Sequence, residues 1–162
     1  MCNLKKIVLA LISVMLLSAA VMSGCGNSVS SFIKDEINPK IEVMGIGLGM
    51  SEEEVFKLAG SDGEKALCTQ GYEYAYSDKK LNIGFNSETS TVRRITTKNQ
   101  DTSVFGIKPG MTIDEAFSKI EGSGFSKDAD SNYKFHKENI TLTVLSMEGT
   151  LADGVTIEID PE

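Results

Sequence analysis

A short pattern that occurs twice constrains the fold of this chain more than any other feature. Residues 45–56 return as residues 106–117, with Gly, Ile, Gly, Met, Ser or Thr, Glu, an apolar residue and Phe at equivalent positions. The offset is 61 positions throughout, as from Gly49 to Gly110. A fixed offset over this many matches predicts two copies of one structural unit in tandem.

Each copy of the pattern contains the start of a helix. Ser51 and Thr112 can accept a hydrogen bond from a backbone N–H of the first turn, and a glutamate three residues later can accept one from the capping residue. Apolar residues then follow at helical spacing. They are Val55, Leu58 and Ala59 in the first copy, and Ile113, Ala116, Phe117 and Ile120 in the second. Gly60 and Gly122 mark the expected helix ends.

After each helix, alternating residues predict an antiparallel meander. The predicted strands are 72–76, 81–85 and 91–97 in the first copy, and 133–135, 140–144 and 154–160 in the second. A leading strand is expected at 41–44 and at 103–107. A hairpin closed at 77–80 pairs Tyr76 with Leu81, Tyr74 with Ile83 and Tyr72 with Phe85. Because opposed residues share a face, we expect the tyrosines in the core beneath the helix.

The opposite face of the sheet is then open. It carries the candidate partner-binding residues Glu73, Asn82, Thr141, Thr143, Leu145 and Met147. Leu145 and Met147 are apolar but out of phase with the core residues, so one interpretation places them in an exposed patch for a partner. The alternative is that they pack against the other copy.

The first 24 residues have the pattern of an export signal. Lys5 and Lys6 precede an uncharged apolar run at 7–21, and small residues lead to Cys25. At about 15–17 residues the run is short for a membrane span, which needs about 20. The segment resembles a bacterial lipoprotein signal, which implies a diacylglyceryl group on Cys25 at the mature N-terminus. Residues 25–40 are predicted to be a flexible tether, with the protein anchored on the outer side of the cytoplasmic membrane.

Charge and cysteine content exclude several functions. The formal net charge is −7, and removal of Lys5 and Lys6 leaves −9, which does not fit a nucleic-acid binder. With Cys25 lipidated and Cys2 removed, Cys68 has no partner for an intrachain disulfide or a cysteine-based metal site.

No set of residues in the sequence predicts catalysis. His136, the single histidine, falls in the expected turn at 136–139 and is interpreted as a solvated residue. The segment from Asp128 to Asn132 has the opening spacing of a calcium loop, but Tyr133 replaces the required glycine and Asn139 the required acid. We interpret it as a polar turn, and we expect no enzymatic activity, no cofactor and no small-molecule substrate.

The repeated helix start followed by a meander resembles the β-lactamase-inhibitor-protein-like fold, which includes SmpA/OmlA-type lipoproteins. The resemblance covers about 41–160. It implies two units, 41–100 and 101–162, joined into an α+β fold with one curved antiparallel sheet of roughly eight strands and helices on one face. The implied function is a lipid-anchored envelope protein that binds another envelope protein through its open sheet face. The alternative is an inhibitor or immunity-type protein that blocks an enzyme such as a β-lactamase.

Overall fold

The computed structural model describes residues 29–161, so the predicted export signal and Cys25 lie outside the described residues. Two α-helices are present in this range: α1 (Glu52–Ala59) and α2 (Ile113–Gly122). The strands are β1 (Ile41–Glu42), β2 (Glu64–Cys68), β3 (Gly71–Tyr76), β4 (Leu81–Asn86), β5 (Val92–Thr97), β6 (Ser103–Val104), β7 (Ser126–Lys127), β8 (Lys134–Lys137), β9 (Ile140–Leu145) and β10 (Gly154–Ile159).

Eight of these strands form one antiparallel sheet in the order β2-β3-β4-β5-β10-β9-β8-β7. The predicted α+β fold with an eight-stranded antiparallel sheet is therefore confirmed. The strands that make up the sheet differ from expectation, because the leading strands β1 and β6 pair with each other outside it. Their places are taken by β2 and β7, which the sequence did not predict and which form the two edges of the sheet.

Both helices begin with the predicted capping box. The side chain of Ser51 accepts from the N–H of Glu54, that of Thr112 accepts from the N–H of Glu115, and each glutamate accepts from the N–H of its capping residue. α1 ends at Gly60, whose φ of 91° favours glycine. Leu58 is 42% exposed, because α1 turns Val55, Ala59 and part of Phe56 toward the sheet.

The core lies between the helices and one face of the sheet, in the predicted register. Tyr76 pairs with Leu81, Tyr74 with Ile83 and Tyr72 with Phe85. One continuous row of this face crosses all six central strands; it consists of Tyr74, Ile83, Ile95, Ile157, Leu142 and Phe135. Phe56 of α1 packs on Tyr74 with ring centroids 5.1 Å apart, and Phe117 of α2 packs on Phe135 at 5.0 Å.

The structure differs from the flexible tether expected over 25–40. The described part of that range contains a helical segment of π geometry at Ile33–Ile37 that continues as a 3₁₀ turn at Asn38–Lys40. Ile33 and Ile37 are both buried, because their spacing of four places them on one side of the segment. Asn38 fixes the segment to the following loop, since its side chain accepts from the N–H of Leu48 and donates to the Leu48 carbonyl. Within residues 29–161, no helix is long and apolar enough to cross a bilayer.

Candidate functional site

The open face of the sheet is the face opposite the helices. Two rows of paired residues run across it. One row is Ala75, Asn82, Thr96, Thr156, Thr143 and Lys134; the other is Glu73, Gly84, Arg94, Glu158, Thr141 and His136. Among these residues Ala75 is the only one with an apolar side chain. The surface is therefore polar, rich in threonine and bounded by charged groups.

The predicted partner-binding residues lie on this face but differ in accessibility. Thr141 is buried, with 4% exposure, whereas Thr143, Asn82 and Glu73 are half-exposed. Glu73 is held by Arg94 through an ion pair of 2.6 Å between Oε2 and Nη2. Side-chain hydroxyls of Thr96 and Thr156 are 2.9 Å apart at the centre, where β5 meets β10. The accessible part of the site is thus formed by Asn82, Thr143 and their neighbours, whereas Thr141 is not accessible.

Leu145 and Met147 lie at one end of the face, beside a cavity of about 460 Å³. The walls include both residues together with Tyr133, and Lys98 and Lys134 also line it. Lys98 belongs to the first half of the chain, so the cavity spans the two halves where β5 and β10 meet. Leu145 is half-buried, whereas the Met147 side chain is 92% exposed and does not pack against the other half.

The loop that carries Met147 is fixed by hydrogen bonds. The N–H of Met147 donates to Asp153 Oδ2 at 2.6 Å, and the N–H of Gly149 donates to the Ser146 hydroxyl at 2.9 Å. That hydroxyl donates to the Leu151 carbonyl at 2.7 Å. An exposed methionine in a constrained loop is available to a partner with little loss of backbone entropy on binding.

His136 is not in a turn, so its predicted position was wrong. It is part of β8, and the turn begins one residue after that strand, at Glu138 with a φ of 53°. His136 Nε2 lies 2.6 Å from Asp128 Oδ2, and its Nδ1 lies 2.9 Å from the Thr141 hydroxyl. The alternation around Phe135 could have indicated this placement, because its neighbours must point to the open face.

The hydrogen-bond directions make this cluster structural. The Thr141 hydroxyl donates to Asp160 Oδ1, so its oxygen is left to accept from His136 Nδ1. Asp128 lies within hydrogen-bond distance of the other ring nitrogen. Thr141 gives its proton to Asp160 rather than to the imidazole, which is the opposite of what a nucleophile with a histidine base requires. His136, followed by the N–H of Asp130, holds the pKa of Asp128 below its ordinary value.

The segment from Asp128 to Asn132 forms the turn before β8. Asp128 Oδ1 accepts from the N–H of Asp130 at 2.7 Å, so both of its carboxylate oxygens are engaged. Across residues 29–161, no three His, Cys, Asp or Glu side chains are grouped in a way that could hold a metal ion. Cys68 ends the edge strand β2 as a half-buried free thiol.

Comparisons with known proteins identify similar folds only. No protein-family model matches the chain, and no curated protein matches it. One similar solved structure is an extracellular protein containing a SCP domain from Bacillus anthracis, with 12% identity and a TM-score of 0.53 over 70% of this chain and 44% of that chain. Another is a cysteine-rich secretory protein from Staphylococcus aureus, with 16% identity and a TM-score of 0.54 over 76% of this chain and 48% of that chain. The chain spans less than half the length of either protein.

These similarities overturn the expected resemblance to the β-lactamase-inhibitor-protein-like and SmpA/OmlA-type group. The two similar solved structures are an SCP-domain protein and a cysteine-rich secretory protein instead. The glycine and capping pattern is not specific to that group, because any helix that starts from a tight turn favours those residues. The inhibitor alternative rested on that resemblance and loses its basis with it.

Proposed function

We propose that this protein is a lipid-anchored binding module on the outer side of the cytoplasmic membrane, where it holds another envelope protein through its open sheet face. The observation that carries the proposal is the end of that face at Met147. A large apolar side chain stands 92% exposed on a loop fixed by hydrogen bonds, beside a cavity of about 460 Å³. Exposed apolar groups rimmed by polar ones are typical of interaction sites.

The chemistry of the cavity indicates the partner surface it fits. Leu145, Met147 and Tyr133 provide apolar contact, and Lys98 and Lys134 add positive charge. Asp153 is already engaged by the loop N–H of Met147, so it competes less for those lysines. A partner segment with an apolar side chain next to an acidic one would complement both features.

The anchoring part of the proposal rests on Cys25 and on the short distance to the folded part. Val29 packs against the core, so three residues separate it from Cys25. The four residue steps from Cys25 to Val29 span at most about 14 Å when extended, which would keep the module near the membrane face. The two similar solved structures are described as extracellular and secretory proteins, which supports a location outside the cytoplasm.

We also infer that the two halves, 41–100 and 101–162, are copies of one unit. Each contains a short strand, a helix with a capping box and four sheet strands, in the same order. The strands of the two halves occupy mirrored places in the sheet, with β5 and β10 at its centre and β2 and β7 at its edges. No catalytic role is proposed for either half.

The test is photo-crosslinking in host cells from a reactive amino acid placed at position 147. We expect one dominant crosslinked envelope protein, and we expect Leu145→Glu to remove it in the same background. The matched control places the crosslinker at Leu67, an equally exposed apolar residue of the edge strand β2, 88% exposed. Circular dichroism checks that each variant folds.

Two outcomes would contradict the proposal. The same product from positions 147 and 67 would indicate nonspecific contact, and retention of the product in Leu145→Glu would remove the cavity from the interface. Lipidation is tested separately, by labelling cells with a palmitate analogue. The label should be incorporated by the wild type and lost in Cys25→Ser.

A further inference from the structure

A second cavity, of about 590 Å³, lies at the end of the sheet where β5 begins and β10 ends. Val29 and Ile33 of the N-terminal segment form one wall, and Ile159 at the end of β10 forms another. Among residues 29–161, Arg93 is the single cationic side chain that lines it. No described residue lines both this cavity and the cavity beside Met147, so the two are separate.

An irregularity in the sheet places Arg93 there. Gly84 pairs with Arg94 and Phe85 pairs with Val92, so Arg93 is the extra residue of a bulge. Arg94 points to the open face and pairs with Glu73, whereas Arg93 lines the cavity and is only 9% exposed. Its Nε is fully buried, and no acceptor within residues 29–161 lies within hydrogen-bond distance.

A buried guanidinium nitrogen without a protein acceptor, as at Arg93 Nε, is uncommon, because charged groups are normally paired when they leave water. The side chains around it are suited to an oxyanion. Asn86 Oδ1 already accepts from the N–H groups of Glu88 and Thr89, which leaves its amide hydrogens as donors. Gln70, Ser87 and Asn139 line the same cavity and carry further donors.

We propose that Arg93 binds an oxyanion of the phosphate type in this cavity. A planar guanidinium donates two parallel hydrogen bonds to such a group, and the remaining phosphate oxygens accept from neutral amides and hydroxyls. The two acids among the described lining residues do not prevent this. Asp160 is hydrogen-bonded to Thr141 and lies 3.8 Å from His136 Nδ1, and Glu88 is exposed.

The phosphate could come from a free small molecule or from a phospholipid headgroup. The lipid source rests on the proposed anchoring, because Val29 at the cavity wall is then four residues from a lipidated Cys25. The free source does not depend on anchoring. In both cases a phosphate group binds Arg93. The two sources can therefore be distinguished by titrating inorganic phosphate and lipid separately.

The experiment uses the full chain with ¹⁵N-labelled arginine in maltoside micelles, and it follows the ¹⁵Nε–¹Hε signal of Arg93 by NMR. The signal is assigned by its loss in Arg93→Lys. Inorganic phosphate is titrated first, followed by phosphatidylglycerol nanodiscs in phosphate-free buffer. We expect a saturable shift of the Arg93 signal and no shift of the Arg94 signal. Calorimetry should show phosphate binding at least tenfold weaker in Arg93→Lys and unchanged in the matched control Arg94→Lys.

The two titrations distinguish the possible sources of the phosphate. A shift with nanodiscs that inorganic phosphate reverses assigns the site to a lipid headgroup, and a shift with phosphate alone assigns it to a small molecule. No shift in either arm, or equal binding by Arg93→Lys and wild type, overturns the proposal and indicates a solvent-filled cavity. Loss of palmitate labelling in Cys25→Ser without any change in phosphate binding would show that the site is independent of anchoring.

Discussion

The two halves of the sheet bury their outer aromatic residues in different ways. In the first half, Tyr74 packs under Phe56 and donates its hydroxyl to Glu52 Oε1 at 2.6 Å, so the strand is tied to the first turn of α1. In the second half, the corresponding residue is Phe135, which is fully buried under Phe117 and has no hydroxyl to donate. One half combines packing with a polar link, and the other relies on packing alone.

The edges of the sheet show why the difference arises. β2 has five residues and β7 only two, so the first half has much more edge to protect. Lys65 of β2 lies over Tyr72, 3.9 Å from the ring centroid, and pairs with Glu52 at 3.7 Å. A charged residue that covers an exposed edge strand discourages pairing with another chain. The tyrosines and Glu52 thus stabilise an edge that the second half nearly lacks.

The largest effect is expected from Phe135→Ala. The side chain is completely buried, so its removal should lower the free energy of unfolding by about 3–5 kcal/mol, measured by chemical denaturation. Tyr133→Ala, at a half-buried residue under the same helix, should cost clearly less. Equal losses for the two variants would show that the second half does not depend on this buried ring.

Tyr74→Phe tests the polar link of the first half. Removal of a hydrogen bond to a carboxylate should cost about 1.5 kcal/mol, and the cost should vanish in a Glu52→Ala background. Tyr72→Phe is the control, since its hydroxyl is 3.3 Å from Glu52 and makes a weaker bond. A cost for Tyr74→Phe that persists without Glu52 would place the effect in packing rather than in the link.

The helix caps should behave alike in the two halves. Ser51→Ala and Thr112→Ala each remove a capping box, and each should cost about 1 kcal/mol of stability by denaturant unfolding. Ser118→Ala, on the exposed side of α2, is the control and should have little effect. A difference between the caps of more than about 1 kcal/mol would mean that one helix start is held mainly by tertiary contacts.

The smallest effect concerns acid stability and Asp128. Its pKa is held below the ordinary value of 3.8, first by His136, so the folded state binds this proton less readily than the unfolded state. The stabilisation is therefore present above pH values near 4 and is lost as the pH falls through the lower folded pKa. Asp128→Asn should flatten the dependence of melting temperature on pH in that range, and Asp130→Asn should not. An unchanged pH profile in Asp128→Asn would exclude this pair as a contributor.

Local patterns predicted much of the fold. The capping boxes, the hairpin register of Tyr72, Tyr74 and Tyr76 and the separation of buried from open face all follow from residues close in sequence. These features depend on hydrogen bonds within one turn or on an alternation of period two, which a short segment specifies by itself. The same alternation correctly placed Thr143 and Asn82 on the open face.

The remaining features depend on contacts between distant segments. The bulge that buries Arg93, the packing of Ile33 and Ile37 and the bond from His136 to Asp128 arise only when separate strands and the N-terminal segment meet. The leading strands β1 and β6 are not part of the main sheet, because they pair with each other across the two halves. The sequence alone thus determined the helix starts and the faces of the strands. The tertiary structure decided which strands form the edges and which polar groups are buried, because burial depends on what covers a residue rather than on its neighbours in the chain.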